Sequence, residues 1–385
     1  MTRWPRRILF GDVDAMFASA AVLADPTLAG KPVAVGGTPP RGIIAAASYV
    51  VRPYGVRSAM PTVEALRLCP DLILIPPDRP LYRRLHDQMQ AVTDRLFPVT
   101  EWSSIDEFYA ETTDLQVRYP DPLALGQLVK DAIFEATGLR CTIALATGKT
   151  VAKIAADSHK PDGLVAIGPG TEQTFLAPRP VRALPGIGPK TAARLEPLGV
   201  RTIGDLLDAR WDGALRKLFG SRFLEIQELA RGLDREPICA DRESKSLSHE
   251  TTFEHDIHDR ACLEKTLRGF LRELARDLRQ DGLAAETCTV KLKDAGFAIT
   301  TKQRRFPGPL NYDPAMWPIV QQALHDLLAP GTKYRLAGLA LSSLSPAAPG
   351  LFDQRRTKAI EAMDAIIAQH GPNVMGLGGV TRDSS

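Results

Sequence analysis

From Arg7 the chain opens on the apolar run Ile8-Leu9-Phe10, which continues through Gly11 to Asp12 and Val13 and predicts a short buried strand. Leu81, Leu85, Met89, Val92 and Leu96 recur at spacings of four, four, three and four, which is the apolar stripe of a helix. Strand-like segments follow around Val99 to Trp102 and Ile105 to Thr112. After them come a helix carrying Leu125, Leu128, Val129, Ala132 and Ile133, and the strand Thr142 to Ala146. The order strand, helix, strand, strand, helix, strand predicts a ferredoxin-like layer of helices on a sheet. Between its first strand and first helix lies an insertion of loops and short elements, residues 15–79, too large for a plain crossover and expected to form a small lobe over the sheet.

After Gly170 the pattern turns helical, with Leu184-Pro185-Gly186-Ile187-Gly188-Pro189-Lys190 punctuating two helices, and this lobe ends near Ile238. The polar stretch Asp241 to Lys245 reads as a linker. Beyond it the same order of elements recurs. Leu247 to Phe253 leads to a helix with Leu263, Leu267, Phe270, Leu271, Leu274 and Leu278. Strands Thr287 to Lys293 and Ala298 to Phe306 follow, then a helix with Ile319, Val320, Ala323, Leu324 and Leu327, and finally Leu336 to Ser342. Two ferredoxin-like units of different size are therefore expected, followed by a tail that breaks at Ser345 to Gly350.

At 385 residues and 44% hydrophobic composition the chain can bury a full core and favours several domains. No apolar run approaches the ~20 residues of a membrane helix, and the start leads directly into a strand-like segment, so a cytoplasmic location is the expectation. Cys69, Cys141, Cys239, Cys262 and Cys288 are scattered and form no CxxC pair, which suits a reducing compartment and argues against zinc. A net charge of +3 is only mildly basic. Any case for nucleic acid must rest on where the charges sit.

Asp12 ends a buried strand, and Asp106 and Glu107 lie where the middle strands of the same sheet would run, so three carboxylates could converge at one edge. Such a cluster is costly to bury unless it binds cations. Oxygen-only ligands suit magnesium or manganese, two of which can clamp the attacking and leaving oxygens of a phosphoryl displacement. Taken singly, each acid reads more readily as a surface salt bridge or a turn cap than as a catalytic group.

Three blocks settle their company: Phe10-Gly11-Asp12-Val13-Asp14-Ala15-Met16-Phe17-Ala18-Ser19, then Ser104-Ile105-Asp106-Glu107, then Ala152-Lys153-Ile154-Ala155-Ala156-Asp157-Ser158-His159-Lys160-Pro161-Asp162-Gly163. In order and spacing over residues 6–345 the chain resembles the Y-family DNA polymerases of the DinB or polymerase IV branch. The resemblance implies a template-dependent polymerase that adds dNTPs to a primer 3'-hydroxyl, with low fidelity and a part in lesion bypass. It places two Mg2+ ions, or Mn2+, on Asp12, Asp106 and Glu107, with the Val13 carbonyl as a further ligand. It makes Phe17 the steric gate against a ribose 2'-hydroxyl. Ser48-Tyr49-Val50-Val51-Arg52 is similar to a nucleotide-contact block of that family, so Tyr49 and Arg52, together with Asp157 and Lys160, are expected on the triphosphate side. Ala46, Ser48 and Ala21 depart from the family pattern, which bears on nucleotide affinity and leaves the acids untouched.

Gly186, Ile187, Gly188 and Lys190 fit a helix-hairpin-helix, whose glycines let backbone N–H groups approach a DNA phosphate. In the second unit Lys291, Lys293, Lys302, Arg304 and Arg305 lie on neighbouring strands, and Ser246, Ser248, Thr251 and Thr252 line the first. Alternation can bring many of these to one phosphate-contacting face. Leu351-Phe352 resembles a sliding-clamp peptide, although Ala348 stands where a Gln is expected. Clamp contact and a simple hydrophobic anchor stay open there.

The fold class expected is thus α+β and multidomain, a right-hand polymerase. Its palm comprises 1–14 and 80–170, its fingers 15–79, its helix-hairpin-helix thumb 171–238, a linker 239–245, a little finger 246–345 and a tail 346–385. A monomer acting on primer-template DNA and dNTP follows. The rivals are a non-catalytic accessory that keeps the fold, against which the three retained acids argue, and a nucleotide cyclase, in which the hairpin and the basic second unit have no role.

Overall fold

The computed structural model describes residues 3–240 and 244–347, together with Ala362. The chain divides into two compact units, Met1–Arg242 and Glu243–Ser385.

The first unit begins with β1 (Ile8–Val13) and α1 (Met16–Ala24), followed by β2 (Val33–Gly36), β3 (Ile44–Ala47), α2 (Thr62–Leu68) and β4 (Ile73–Ile75). Next come α3 (Arg79–Leu96), β5 (Thr100–Trp102), β6 (Glu107–Glu111), α4 (Pro122–Thr137) and β7 (Cys141–Ala146). The unit continues with α5 (Lys149–His159), β8 (Leu164–Ala166), α6 (Glu172–Leu176), α7 (Pro189–Leu195), α8 (Asp212–Phe219) and α9 (Phe223–Ala230). Both long helices over the sheet start where the sequence provides a cap. Asp78 accepts the N–H of Leu81 at 3.0 Å, Asp121 accepts that of Leu123 at 3.0 Å, and a proline sits in the first turn of each.

The main sheet runs β5-β6-β1-β7-β8, with β1 antiparallel to both neighbours and β8 parallel to β7. All six residues of β1 are buried, because both faces of the sheet are covered. Leu9 and Val13 pack with Leu85, Met89, Leu125 and Val129 of α3 and α4. Ile8 and Phe10 face the other way, into a core shared with α5 and the helical lobe of α6 to α9. Asp12 has the parity of Ile8 and Phe10 and so faces the α5 side. Between β1 and α3 lies a small three-stranded sheet, β3-β2-β4, with its own core around Ile44, Val51, Met60 and Ala65, while Met16, Ala20 and Ala21 of α1 join the core of the main sheet.

The second unit contains β9 (Ser246–Ile257), α10 (Arg260–Gln280), β10 (Leu283–Asp294), β11 (Ile299–Leu310), α11 (Asp313–His325) and β12 (Tyr334–Pro346). Its sheet order is β11-β10-β12-β9. The element order repeats that of the first sheet, but the central pair here is the second and fourth strands, where the first unit centres its first and third. Leu263, Leu267, Leu271 and Leu274 of α10 cover one face of it, together with Val320 and Leu324 of α11. Among the described residues no helix is long and apolar enough to cross a membrane.

Candidate active site

Asp12 and Glu107 are direct cross-strand partners on β1 and β6. Glu107 shares its parity with Tyr109, which packs on the α5 side, so both carboxylates emerge on that face. Two lysines meet them there. Lys160, just past α5, pairs with Asp12 and lies 3.2 Å from Asp157. Lys153 of α5 donates to Glu107 at 2.6 Å. Burial pushes the Asp12 carboxyl up to about 7 against the pull of Lys160, and the charges of Glu107 and Asp106 push the same way. Burial also opposes ionisation of Glu107, but the hydrogen bond and charge of Lys153 outweigh it and hold that group below the usual range. For Lys160, burial is outweighed by Asp12 and Asp157, and its pKa rises.

Asp106 sits in the turn between β5 and β6. Its carbonyl accepts the N–H of Val13 at 3.0 Å, and its carboxylate takes the hydroxyl of Ser104 at 2.6 Å. The chain leaves β1 through Ala15, whose φ of 47° is a left-handed conformation that costs a non-glycine residue on the order of 1 kcal/mol. That sharp turn starts α1, whose second residue is Phe17. The ring of Phe17 stacks on Tyr82 of α3 with centroids 4.1 Å apart and planes 19° apart. Tyr49 reaches Asp14 with its hydroxyl at 3.2 Å, and the guanidinium of Arg52 lies 3.7 Å above the Tyr49 ring. Asp12, Val13, Asp106, Glu107, Asp157 and Lys160 are thus linked by strand pairing, hydrogen bonds and ion pairs, and Tyr49 joins them through Asp14 and Asp162. Phe17 contacts Tyr82 rather than any of these, and Arg52 is exposed beside Tyr49.

The donor chemistry of the acids suits a hard divalent cation, since all are carboxylate oxygens. Among the described residues no three acidic, histidine or cysteine side chains form a ready-made cation site. The ammonium groups of Lys160 and Lys153 supply the positive charge against Asp12 and Glu107.

Sequence reasoning missed two features. Asp14 is buried and accepts from Tyr49, from the Thr142 hydroxyl at 3.1 Å and from the Asp162 N–H at 2.7 Å, tying the small lobe to the loop that carries Lys160. Lys153, quoted in a motif without a role, is the partner of Glu107. A cleft of about 580 Å³ extends from Lys149, Lys153 and Asp157 to the hairpin at Gly186 and Gly188.

The hairpin needs one correction. Gly186 adopts φ +88°, which favours glycine, but Ile187 is buried in the core and its N–H donates to the Leu184 carbonyl at 3.1 Å. Ile187 therefore anchors the turn from inside, while Gly186, Gly188 and Lys190 are exposed. In the second unit the basic and hydroxyl residues expected largely on one face divide between both faces of the sheet. Register places Lys302 opposite Val290, Arg304 opposite Cys288 and Thr251 opposite Ala337, all on the helix-covered face. Arg304 and Lys302 are engaged there by Asp326 at the end of α11. The open face keeps Ser246, Ser248, Lys291, Lys293 and Arg305, with Lys291 bonded to Glu250 at 2.7 Å and Arg305 to Glu286 at 2.6 Å. Leu351 and Phe352 lie outside the described residues.

The chain is similar to known proteins along most of its length. Residues 11–157 match the impB/mucB/samB family, residues 244–353 its C-terminal domain, and residues 169–200 the IMS family HHH motif. The chain is 39% identical over 351 residues to DNA polymerase IV of Methanoculleus marisnigri, covering 89% of this chain and 96% of that one. It is 37% identical to DNA polymerase IV of Halorhodospira halophila over 343 residues, 89% of this chain and 96% of the relative. Among solved structures, a Y-family DNA polymerase chimera of Dbh and Dpo4 superposes with a TM-score of 0.78 at 26% identity, covering 88% of this chain and 98% of that one. An insertion ternary complex of Dbh DNA polymerase gives 0.64 at 26% identity, covering 87% and 98%. With the acids, the hairpin and both sheets in place along nearly the whole chain, the protein belongs to the Y-family of DNA polymerases, on its DinB or DNA polymerase IV branch.

Proposed function

We propose that the protein extends a primer on a DNA template by transferring the nucleotidyl group of a dNTP to the primer 3'-hydroxyl, as a low-fidelity polymerase suited to damaged templates. The observation that carries this reading is the facing pair Asp12 and Glu107 on adjacent strands, with Asp106 at the turn beside them. In this reading the first unit is a right hand with palm 1–14 and 80–170, fingers 15–79 and thumb 171–238, and 246–345 is the little finger.

Asp12, Asp106 and Glu107, with the Val13 carbonyl, would hold two divalent cations, Mg2+ or Mn2+. The chemistry such ions supply is charge neutralisation on the triphosphate and easier ionisation of the attacking hydroxyl. The remaining work falls to the chain. Lys160 lies beside Asp12 as a point charge for the triphosphate, and Arg52, preorganised on the Tyr49 ring, offers a planar fork of donors. Tyr82 backs the Phe17 ring, so a 2'-hydroxyl on the incoming sugar would meet a supported wall. The open sheet face of the second unit offers the DNA backbone the hydroxyls of Ser246 and Ser248 and the cations Lys291, Lys293 and Arg305, which carry no base readout.

The test is extension of a labelled primer-template with Mg2+ by wild type, Asp106→Ala and Phe17→Ala, with dNTPs and rNTPs in parallel. Wild type extends with dNTPs, Asp106→Ala does not, and Phe17→Ala gains rNTP incorporation. DNA binding without extension by wild type in either metal would reject the reading in favour of an accessory protein.

A further inference from the structure

The turn joining β5 to β6 carries Ser104 and Asp106, and on its α3 side it is held by a residue to which the proposed chemistry gives no part. The ring of His86 stands edge-on to the indole of Trp102, with centroids 4.5 Å apart and planes 79° apart. Its Nδ1 lies 3.0 Å from the Ile105 carbonyl oxygen. A carbonyl can only accept, so Nδ1 carries the proton in this contact. From the opposite side β1 holds the same stretch through the Val13 N–H on the Asp106 carbonyl at 3.0 Å, and the Ser103 N–H closes the turn on the Glu107 carbonyl at 3.0 Å. The peptides on both sides of the Asp106 α-carbon are thus fixed, one by α3 and one by β1. His86 also lies one helical turn after Tyr82, the residue that backs Phe17. A single helix therefore supports the ring at the nucleotide sugar and the turn that aims an acid.

We propose that His86 is a positioning residue of the polymerase site. By holding the Ile105 carbonyl it sets the direction of the Asp106 side chain, without touching substrate. The inference rests on the part assigned to Asp106 above. A side chain freed at one end of a tight turn samples several rotamers, and a misplacement of about 1 Å in a reacting group can cost up to about a hundredfold in rate.

The test compares His86→Phe, which keeps the ring and loses the donor, with His86→Asn, whose amide N–H falls near the position of Nδ1. Wild type and Asp106→Ala are measured alongside, all in the full chain. His86→Phe is expected to lower kcat for primer extension about tenfold while leaving KM for dNTP and Kd for primer-template unchanged. It should also weaken Mn2+ binding to the free protein, read by electron paramagnetic resonance. His86→Asn should restore most of both. Equal loss in His86→Phe and His86→Asn, tracking an equal loss in Tm, would mark mere structural support and overturn the proposal. So would wild-type kcat and Mn2+ binding in His86→Phe. Full activity in Asp106→Ala would instead remove the reading on which the inference stands.

Discussion

Asp14 is the residue that ties together Tyr49 and the Lys160 loop, the proposed nucleotide side of the site, and its chemistry explains why. A buried carboxylate is tolerable when its lone pairs are filled, and three donors fill them here: the hydroxyls of Tyr49 and Thr142 and the N–H of Asp162. Asp162 has φ +56° and is further held by Lys130 at 2.8 Å and Arg140 at 2.9 Å, so the loop after Lys160 is pinned from two sides. Asp14→Ala leaves those donors unpaired and is expected to cost about 2–4 kcal/mol in urea unfolding. KM for dNTP should rise more than kcat falls, since Tyr49 and the Lys160 loop lose their common anchor. A loss below about 0.5 kcal/mol, or an unchanged KM, would show that the network is redundant. That Asp12 and Glu107 would meet across one sheet was legible because each stands at the end of a strand-like segment inside a recognisable block. The pairing of Lys153 with Glu107 was not, since which buried charges meet is decided by packing between distant segments.

At the scale of elements, legibility followed the strength of the periodic signal. The stripes of α3 and α4 and the apolar runs of β1 and β7 could be read directly. Helix α5 was harder to read: its buried residues are Lys149, Thr150, Val151, Ala152, Ile154, Ala155 and Ala156, mostly small or polar, so its buried face lacks the large apolar side chains that mark α3 and α4. In the second unit alternation was seen but not its direction, and odd-numbered Thr251 was grouped with Ser246 and Ser248 although period two sends it to the other face. The helices of that unit are fastened at one end by a polar clip. Burial disfavours the Glu264 carboxylate, yet Arg260 at 2.8 Å and His325 at 2.9 Å, with Gln321, hold its pKa at about 2. A pKa depressed in the folded state means the native protein binds fewer protons than the unfolded chain, so this stabilisation is present above about pH 4.5 and is lost as pH falls toward 2. Thermal melts between pH 5 and 2.5 should show Tm falling more steeply for wild type than for Glu264→Gln, which lacks the titrating group. Identical slopes would place the acid sensitivity elsewhere.

For the whole molecule, the division of apolar contacts predicts how it unfolds. The core of the second unit is built from residues between Leu247 and Leu344 alone, while the three other clusters draw only on the first unit. Within the first unit the sheet and the helical lobe share one core that includes Ile8, Phe10 and Tyr109 beside Leu195, Leu215 and Phe223, so a thumb cut from its palm would expose a large apolar face. The second unit closes its four strands and two helices on themselves, about 100 residues, enough for an independent core. A fragment spanning 244–347 is therefore expected to fold cooperatively by itself, whereas one spanning 171–238 is not. Circular dichroism melts decide this: a sigmoidal transition for the first fragment and a featureless trace for the second fit the division. The reverse pattern would mean that stability flows across the chain by contacts other than these cores. That separation also bears on the site, because every acid and lysine of the proposed chemistry belongs to the first unit. Substitutions on the open face of the second, such as Lys293→Ala, should then change DNA affinity and its salt dependence while leaving single-turnover kcat on saturating DNA near wild type.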